Sequence, residues 1–352
     1  MATFEYKTWE TINLPVVSGD TSYLVYDHLV TLPDKPRPTY TTGLIYSGLV
    51  LAGYGVQNLD EILSQYVHPK DISFTSSVQA DNDAYTSFYV YYSNDGWNTW
   101  TYDNIIMLYD WGYEDTTGAV LSHPVTNLVD CRQWFLYSIK AGDPDTSTTI
   151  FVDLDGTPIS NFTVSGYTHY NYVSDLSSWT YPGEFNYAYS YDFYVDTSLM
   201  IPGTFNTIHI GPSKYIVANT CYKYCVYYVN EFGGWDSLLF AGKALQKDAL
   251  SRLSYKKNYI AGDKYSFGKV DYTTNIDEAW ELVTGYIDDL ASARMRSLFA
   301  SNKIWVHDLE TGVIKPANIT NTTCEHKNYK SNGRKMSTYT INLSNSQRKY
   351  RV

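Results

Sequence analysis

The nine residues Tyr85-Thr86-Ser87-Phe88-Tyr89-Val90-Tyr91-Tyr92-Ser93 decide the fold class. Aromatic and β-branched side chains fit a pleated, half-buried surface, so a run of this composition reads as a strand. The same texture recurs outward from it, at Thr21 to Leu32, Thr42 to Tyr54, Ile105 to Trp111, Trp134 to Lys140, Thr148 to Leu154 and Tyr187 to Val195. Gly, Pro, Asn and Asp clusters separate these runs. One short helix is expected over Leu59 to Val67, where Leu59, Ile62, Leu63 and Tyr66 share a face at helical spacing, with His68-Pro69 as its stop. Gly142 to Thr149 and Ser174 to Glu184 read as loops.

The last third changes character. Ile287, Leu290, Ala291, Met295, Leu298 and Phe299 line one face of a helix over Ile287 to Ala300, with Arg296 turned outward. Arg294 falls on the apolar face and must snorkel or find a partner. Strands are expected at Ile304 to His307, Val313 to Ile319, Cys324 to Tyr329 and Lys335 to Leu343, with turns at Glu310-Thr311-Gly312 and Asn332-Gly333. The whole reads as mainly β: two β-sandwich-like (Ig-like) domains at 1–117 and 118–233, then a small α+β domain at 234–352 ending in a β-meander. The Gly233-Gly234 pair permits a sharp chain reversal because it lacks Cβ atoms.

Of 352 residues, 36 are Tyr, 13 Phe and 9 Trp, while only 18% are charged, which excludes a disordered chain. The formal charge of −11 argues against a general nucleic-acid binder. Residues 1–235 carry 8 Lys or Arg against 25 Asp or Glu, and residues 236–352 carry 18 against 12. That polarity suits end-on stacking of subunits, although from charge alone an acidic solvated half beside a mildly basic one is the plainer reading. No secretory signal and no membrane span is expected from the sequence, and Cys131, Cys221, Cys225 and Cys324 are too sparse for a disulfide framework. Strand alternation over Thr220 to Val229 puts Cys221 and Cys225 on one face as small core hydrophobes. The chain therefore reads as made in a reducing cytoplasm.

Catalytic chemistry finds no pattern. His28, His68, His123, His169, His209, His307 and His326 are scattered, without metal-ligand spacing, and no nucleophile elbow, phosphate loop or dinucleotide fingerprint occurs. Carboxylate pairs such as Asp153 with Asp155, or Glu184 with Asp192, are available to a glycosidase, but sequence does not set them across a sugar. The Asp153-Leu154-Asp155-Gly156 stretch reads as a turn; Thr157, Pro158 and Ile159 do not continue a calcium loop. No catalytic, metal or cofactor site is expected. The string Ser93 to Trp100 resembles the Asp-box hairpin of sialidase-like propellers in its Ser, Asp, Thr and Trp, with Trp97 where that box has glycine. Its role in that family is structural. Exposed Trp97, Trp100, Trp111, Trp179 and Tyr181 could stack on sugars, so a carbohydrate-binding or receptor-binding tail protein is the alternative; aromatics filling cores and subunit interfaces are the plainer reading.

The segment Tyr227-Tyr228-Val229-Asn230-Glu231-Phe232-Gly233-Gly234-Trp235-Asp236-Ser237, followed by Phe240, Gly242-Lys243, the helix ending at Ala300-Ser301, Ile304-Trp305-Val306 and a closing meander at Arg348 to Val352, carries a resemblance. It is similar to the C-terminal part of virion structural proteins from tailed phages of gut Bacteroidales, crAss-like phages included. The likeness covers about a third of the chain. It implies a non-enzymatic subunit of a multimeric ring in the tail or neck, made in the host cytoplasm and contacting copies of itself and other tail or portal proteins. It implies neither a membrane nor specific nucleic acid, although a lumen could pass DNA. Candidate interface residues are Phe232 and Trp235 in the reversal, and Arg334, Lys335, Arg348, Lys349 and Arg351 in the basic run from Lys327, which holds no acid. That run either docks on an acidic neighbour or guards a sheet edge.

Overall fold

The computed structural model describes residues 2–7, 21–27, 44–50, 59–68, 70–81, 85–93, 101–109, 122, 127–140, 147–154, 157–165, 169–178, 191–200, 207–218, 222–256, 269–287, 289–321, 323, 338–347 and 349–351. Mainly β structure is what these residues show. The expected Cys324 to Tyr329 strand and the Asn332-Gly333 turn lie outside them. So do the Trp97, Trp100, Trp111, Trp179 and Tyr181 candidates and the body of the Asp-box-like string.

The first sheet runs β1 (Ala2–Lys7), β6 (Thr101–Tyr109), β5 (Tyr85–Ser93), β2 (Thr21–Asp27), β3 (Leu44–Val50), with β1 parallel to β6 and the rest antiparallel. Strand alternation sends Tyr23 and Val25 to one face and Leu24 and Tyr26 to the other. On the first face they pack with Phe88, Val90 and the helical segment's Leu59, Leu63 and Val67; on the second, Leu24 and Tyr26 pack with Tyr91. The helical segment is one turn of α-helix, α1 (Asp60–Leu63), tightened into a 3-10 turn at Ser64–Tyr66. Tyr66, expected on its apolar face, stays 39% exposed, with its ring in a T-shaped contact with Phe88.

A second five-stranded sheet orders β10 (Thr157–Ser165), β9 (Ser147–Leu154), β12 (Tyr191–Met200), β13 (Thr207–Ala218) and β7 (Asn127–Asp130). Leu154 pairs directly with Thr157, so Asp153 and Leu154 end β9; Asp155 and Gly156 lie outside the described residues. β9 starts at Ser147, inside the expected loop, because its first residues pair with the end of β12. A three-stranded sheet places β11 (His169–Asp175) between β4 (Ser77–Asp81) and β8 (Trp134–Lys140).

The C-terminal sheet has the order β15 (Trp235–Phe240), β14 (Tyr224–Val229), β18 (Ile304–Asp308), β19 (Val313–Ile319), β20 (Thr340–Asn345), β17 (Lys269–Val283), β16 (Ala244–Lys256), and β21 (Lys349–Arg351) also pairs with β17. It begins at Tyr224, so β14 belongs with the C-terminal strands: it is hydrogen-bonded to β15 on one side and β18 on the other. All six β14 residues are buried because both faces are covered. Tyr224, Val226 and Tyr228 face a core completed by Phe240, Trp280, Leu282, Ile341, Leu343 and the helix α2 (Asp289–Ala300) through Met295 and Leu298. Cys225, Tyr227 and Val229 face Leu136 and Val173 of the three-stranded sheet. Each such side chain withdrawn from water stabilises by about 1.5–3 kcal/mol. Cys225 is thus the small core hydrophobe expected of it.

The β14–β15 reversal turns on Gly233, whose φ of 87° is open to glycine and strained for other residues. Asn230 Oδ1 accepts the backbone N–H groups of Phe232 (3.0 Å) and Gly234 (2.9 Å) and so fixes the loop. Gly242 serves a different need, close approach. Its N–H donates to the Val283 carbonyl at 2.9 Å, and a Cβ added there would stand 2.6 Å from that same oxygen. Gly242→Ala is therefore expected to lower stability by about 1–3 kcal/mol, measured by chemical denaturation.

Ala244–Lys256 and Lys269–Val283, for which no element was expected from sequence, pair antiparallel as the arms of a long hairpin. β16 has 13 residues and β17 has 15. A β-bulge opposite Leu253 and Ser254 shifts its register near the far end.

Candidate functional site

Cys225, Tyr227 and His307 form a buried nucleophile, phenol and imidazole cluster in the C-terminal sheet. Alternation on β14 puts Cys225 and Tyr227 on one face, and cross-strand pairing sets His307 opposite Cys225. The Tyr227 hydroxyl accepts the Trp134 N–H at 2.8 Å and lies 3.0 Å from His307 Nδ1. With the phenol oxygen already accepting, its own proton is the one available to Nδ1, which suits a neutral imidazole. Burial pushes the Cys225 thiol and the Tyr227 phenol up, away from ionisation. Burial also lowers His307 from 6.5 to about 4; Asp308, Asp175 and Asp130 oppose that shift, and Arg132 adds to it. An activated cysteine needs a lowered thiol beside a protonated base, and these three groups are displaced the other way. The cluster joins β14 and β18 to β8.

The folded His307 value lies below the unfolded one, so the unfolded chain binds more protons between the two. The stability associated with the neutral ring is present above pH 6.5 and is lost as pH falls toward about 4. After discounting for residual solvation of the ring, the loss is on the order of 2 kcal/mol. Melting temperatures of wild type and His307→Gln across that interval check this: the variant should show a shallower decline.

The Phe232 to Trp235 segment lies where the C-terminal and three-stranded sheets meet. Phe232 is half-buried, whereas Trp235 is fully buried beside Leu136, Val173, Tyr227 and Leu239. The Trp235 backbone N–H donates to Ser138 Oγ on β8 at 2.7 Å, and Ser138 Oγ donates on to Asn171 Oδ1 at 2.6 Å. Further ties flank it. Glu231 N–H donates to Ser297 Oγ of α2 at 2.9 Å, and Arg132 clamps Asp130 (2.9 and 2.7 Å) while donating to the Tyr222 carbonyl at 2.8 Å. Arg294, the cation on the apolar helix face, is buried and donates to the Ser237 carbonyl at 2.7 Å. Arg296 is exposed, as expected.

A cavity of about 250 Å³ opens between α2 and β19, with Phe299, Ile304 and Ile319 at its base and Asn302, Asn318 and Asn321 around it. It falls below the usual volume of a small-molecule site. Among the described residues, no three His, Cys, Asp or Glu side chains gather as a metal would require. No helix among them is long and apolar enough to cross a membrane.

The feature that stands outside every core is the β16–β17 hairpin. Among its described residues, Ala244, Trp280 and Leu282 reach the core between the sheet and α2. Its base is pinned by Lys247 on Glu281 (2.5 Å), and by Glu278 accepting from Lys315 (2.7 Å) and Asn345 (3.0 Å). Beyond that base, Leu250 (55%), Leu253 (53%), Tyr255 (50%) and Tyr272 (56%) lie half exposed. The bulge turns Tyr272 toward Tyr255, their ring centroids 6.1 Å apart. Along the other edge of β17, Lys349 pairs with Ile276 and Arg351 with Thr274, so the C-terminal strand brings two of the basic candidate positions to this hairpin. Arg334, Lys335 and Arg348 lie outside the described residues.

The hairpin went unread in the sequence for a physical reason. Ala244 to Lys256 contains no Val, Ile or Thr and is rich in Ala, Leu, Lys and Gln, which favour helix. Val270, Tyr272, Thr273, Thr274 and Ile276 on the partner strand carried the β signal. The chain matches no family model, no curated protein and no solved structure.

Proposed function

We propose that this chain is a structural subunit of a tailed-phage virion that assembles with copies of itself into a ring or connector of the tail or neck. The observation that carries the assembly reading is the β16–β17 hairpin, on which four large apolar side chains are half exposed beyond the core. Clustered exposed apolar area of this kind marks interaction surfaces. The phage assignment, with synthesis in the host cytoplasm and neighbours among tail or portal proteins, rests on the resemblance of the last third of the sequence. No catalytic step is assigned. The ionisation directions at Cys225, Tyr227 and His307 support that part of the reading.

Mass photometry and negative-stain imaging of the purified full chain test it. Closed rings of uniform subunit number are the expected result. A protein that stays monomeric up to roughly 100 μM, well above the affinity range of specific assemblies, sinks the proposal.

A further inference from the structure

We propose that the distal half of the β16–β17 hairpin is the docking element, and that its partner is the acidic N-terminal half of a second copy of this chain; this rests on the assembly reading above.

At about 3.3 Å per residue, a 13-residue strand extends roughly 40 Å. Among the described residues the buried core takes side chains from its base, and the apolar side chains further out are only half covered. On β16, alternation places Leu253 and Tyr255 on one face, and the bulge adds Tyr272 to them. The result is a compact apolar cluster of the kind that anchors an interface. Beside it, the outer edge of β16 has no strand partner among the described residues, whereas β17 is flanked by β20 and β21.

Charge selects the partner. Among the described residues of the distal hairpin, Arg252, Lys256 and Lys269 stand against Asp271. Pairing of β21 with β17 adds the Lys349 and Arg351 positions alongside. The first 235 residues offer 25 acids against 8 bases. Among the described residues, Leu253, Tyr255 and Tyr272 keep half their surface exposed, and a second copy would bring its acidic residues 1–235 to them. Two different patches meeting in this way make a head-to-tail contact, the kind that closes into rings.

The test uses the full chain with a photo-crosslinking amino acid at position 253, mixed with an isotope-labelled second copy. The expected result is interchain peptides joining the hairpin to residues 1–235. Crosslinks that run only hairpin to hairpin, or to added duplex DNA, overturn the proposal. In parallel, Leu253→Ser/Tyr255→Ser/Tyr272→Ser should raise the concentration at half-assembly at least about tenfold with the melting temperature unchanged. Raising salt from about 50 to about 500 mM should weaken the wild-type assembly by a similar factor. A triple variant that assembles at the wild-type concentration also overturns the docking role while leaving the assembly reading intact. A wild type that never assembles removes both.

Discussion

Trp235→Ala is expected to lose about 3–5 kcal/mol, seen as a large fall in the urea midpoint, because it empties a fully buried indole site in the junction between two sheets. Little can collapse into the space. Phe74 is already held against Trp134, Tyr227 and Trp305, with ring centroids 5.2–6.1 Å apart, and β8 is fixed by the Ser138 bonds. Trp235→Phe supplies the control. The indole Nε1 meets no acceptor among the described residues, so replacing it by carbon leaves no new unsatisfied group. Phenylalanine should therefore retain most of the stability that alanine loses. If the two variants unfold at the same midpoint, the junction is not packed as described.

Arg294→Met is expected to cost about 3 kcal/mol despite a side chain of similar length and better helix packing. The guanidinium donates to the Ser237 carbonyl, and it stands near Tyr228, around which the buried Glu231 and Asp236 also gather. Methionine removes the only one of these groups that is positive. It leaves the Ser237 carbonyl without this donor and removes the buried cation beside Tyr228. Burial raises the Tyr228 phenol, and Arg294 pulls against that rise, so the phenol is neutral with or without the cation. A thermal scan in which Arg294→Met matches wild type would show that the helix tolerates the loss of this cation.

Several elements were legible because their residues settle their own backbone. The strands over Tyr85–Ser93 and Trp134–Lys140 stand where the aromatic and β-branched texture put them. The helix over Asp289–Ala300 follows its apolar periodicity, and the one cation on its buried face met a carbonyl, one of the two outcomes open to it. The chain reverses at the Gly-Gly pair as expected, with Gly233 at positive φ. Of the candidate interface, Lys349 and Arg351 were readable as basic residues on a sheet edge. Their place beside the hairpin was not, because nothing in their own neighbourhood names Ile276 and Thr274 as partners.

Local composition by itself determined that the chain is built of strands, where its last helix lies, where it reverses at Gly233, and that its charge is divided between an acidic front and a basic back. Tertiary structure decided which strands meet: β1 beside β6, β4 beside β11, and Ala244–Lys256 held extended against β17 in spite of its helical composition. Side-chain sterics act within a few residues and so are written in the sequence order. Strand partnership depends on backbone hydrogen bonds and buried area summed over segments far apart in the chain, and those sums exceed the few tenths of a kcal/mol per residue by which local preference favours another conformation.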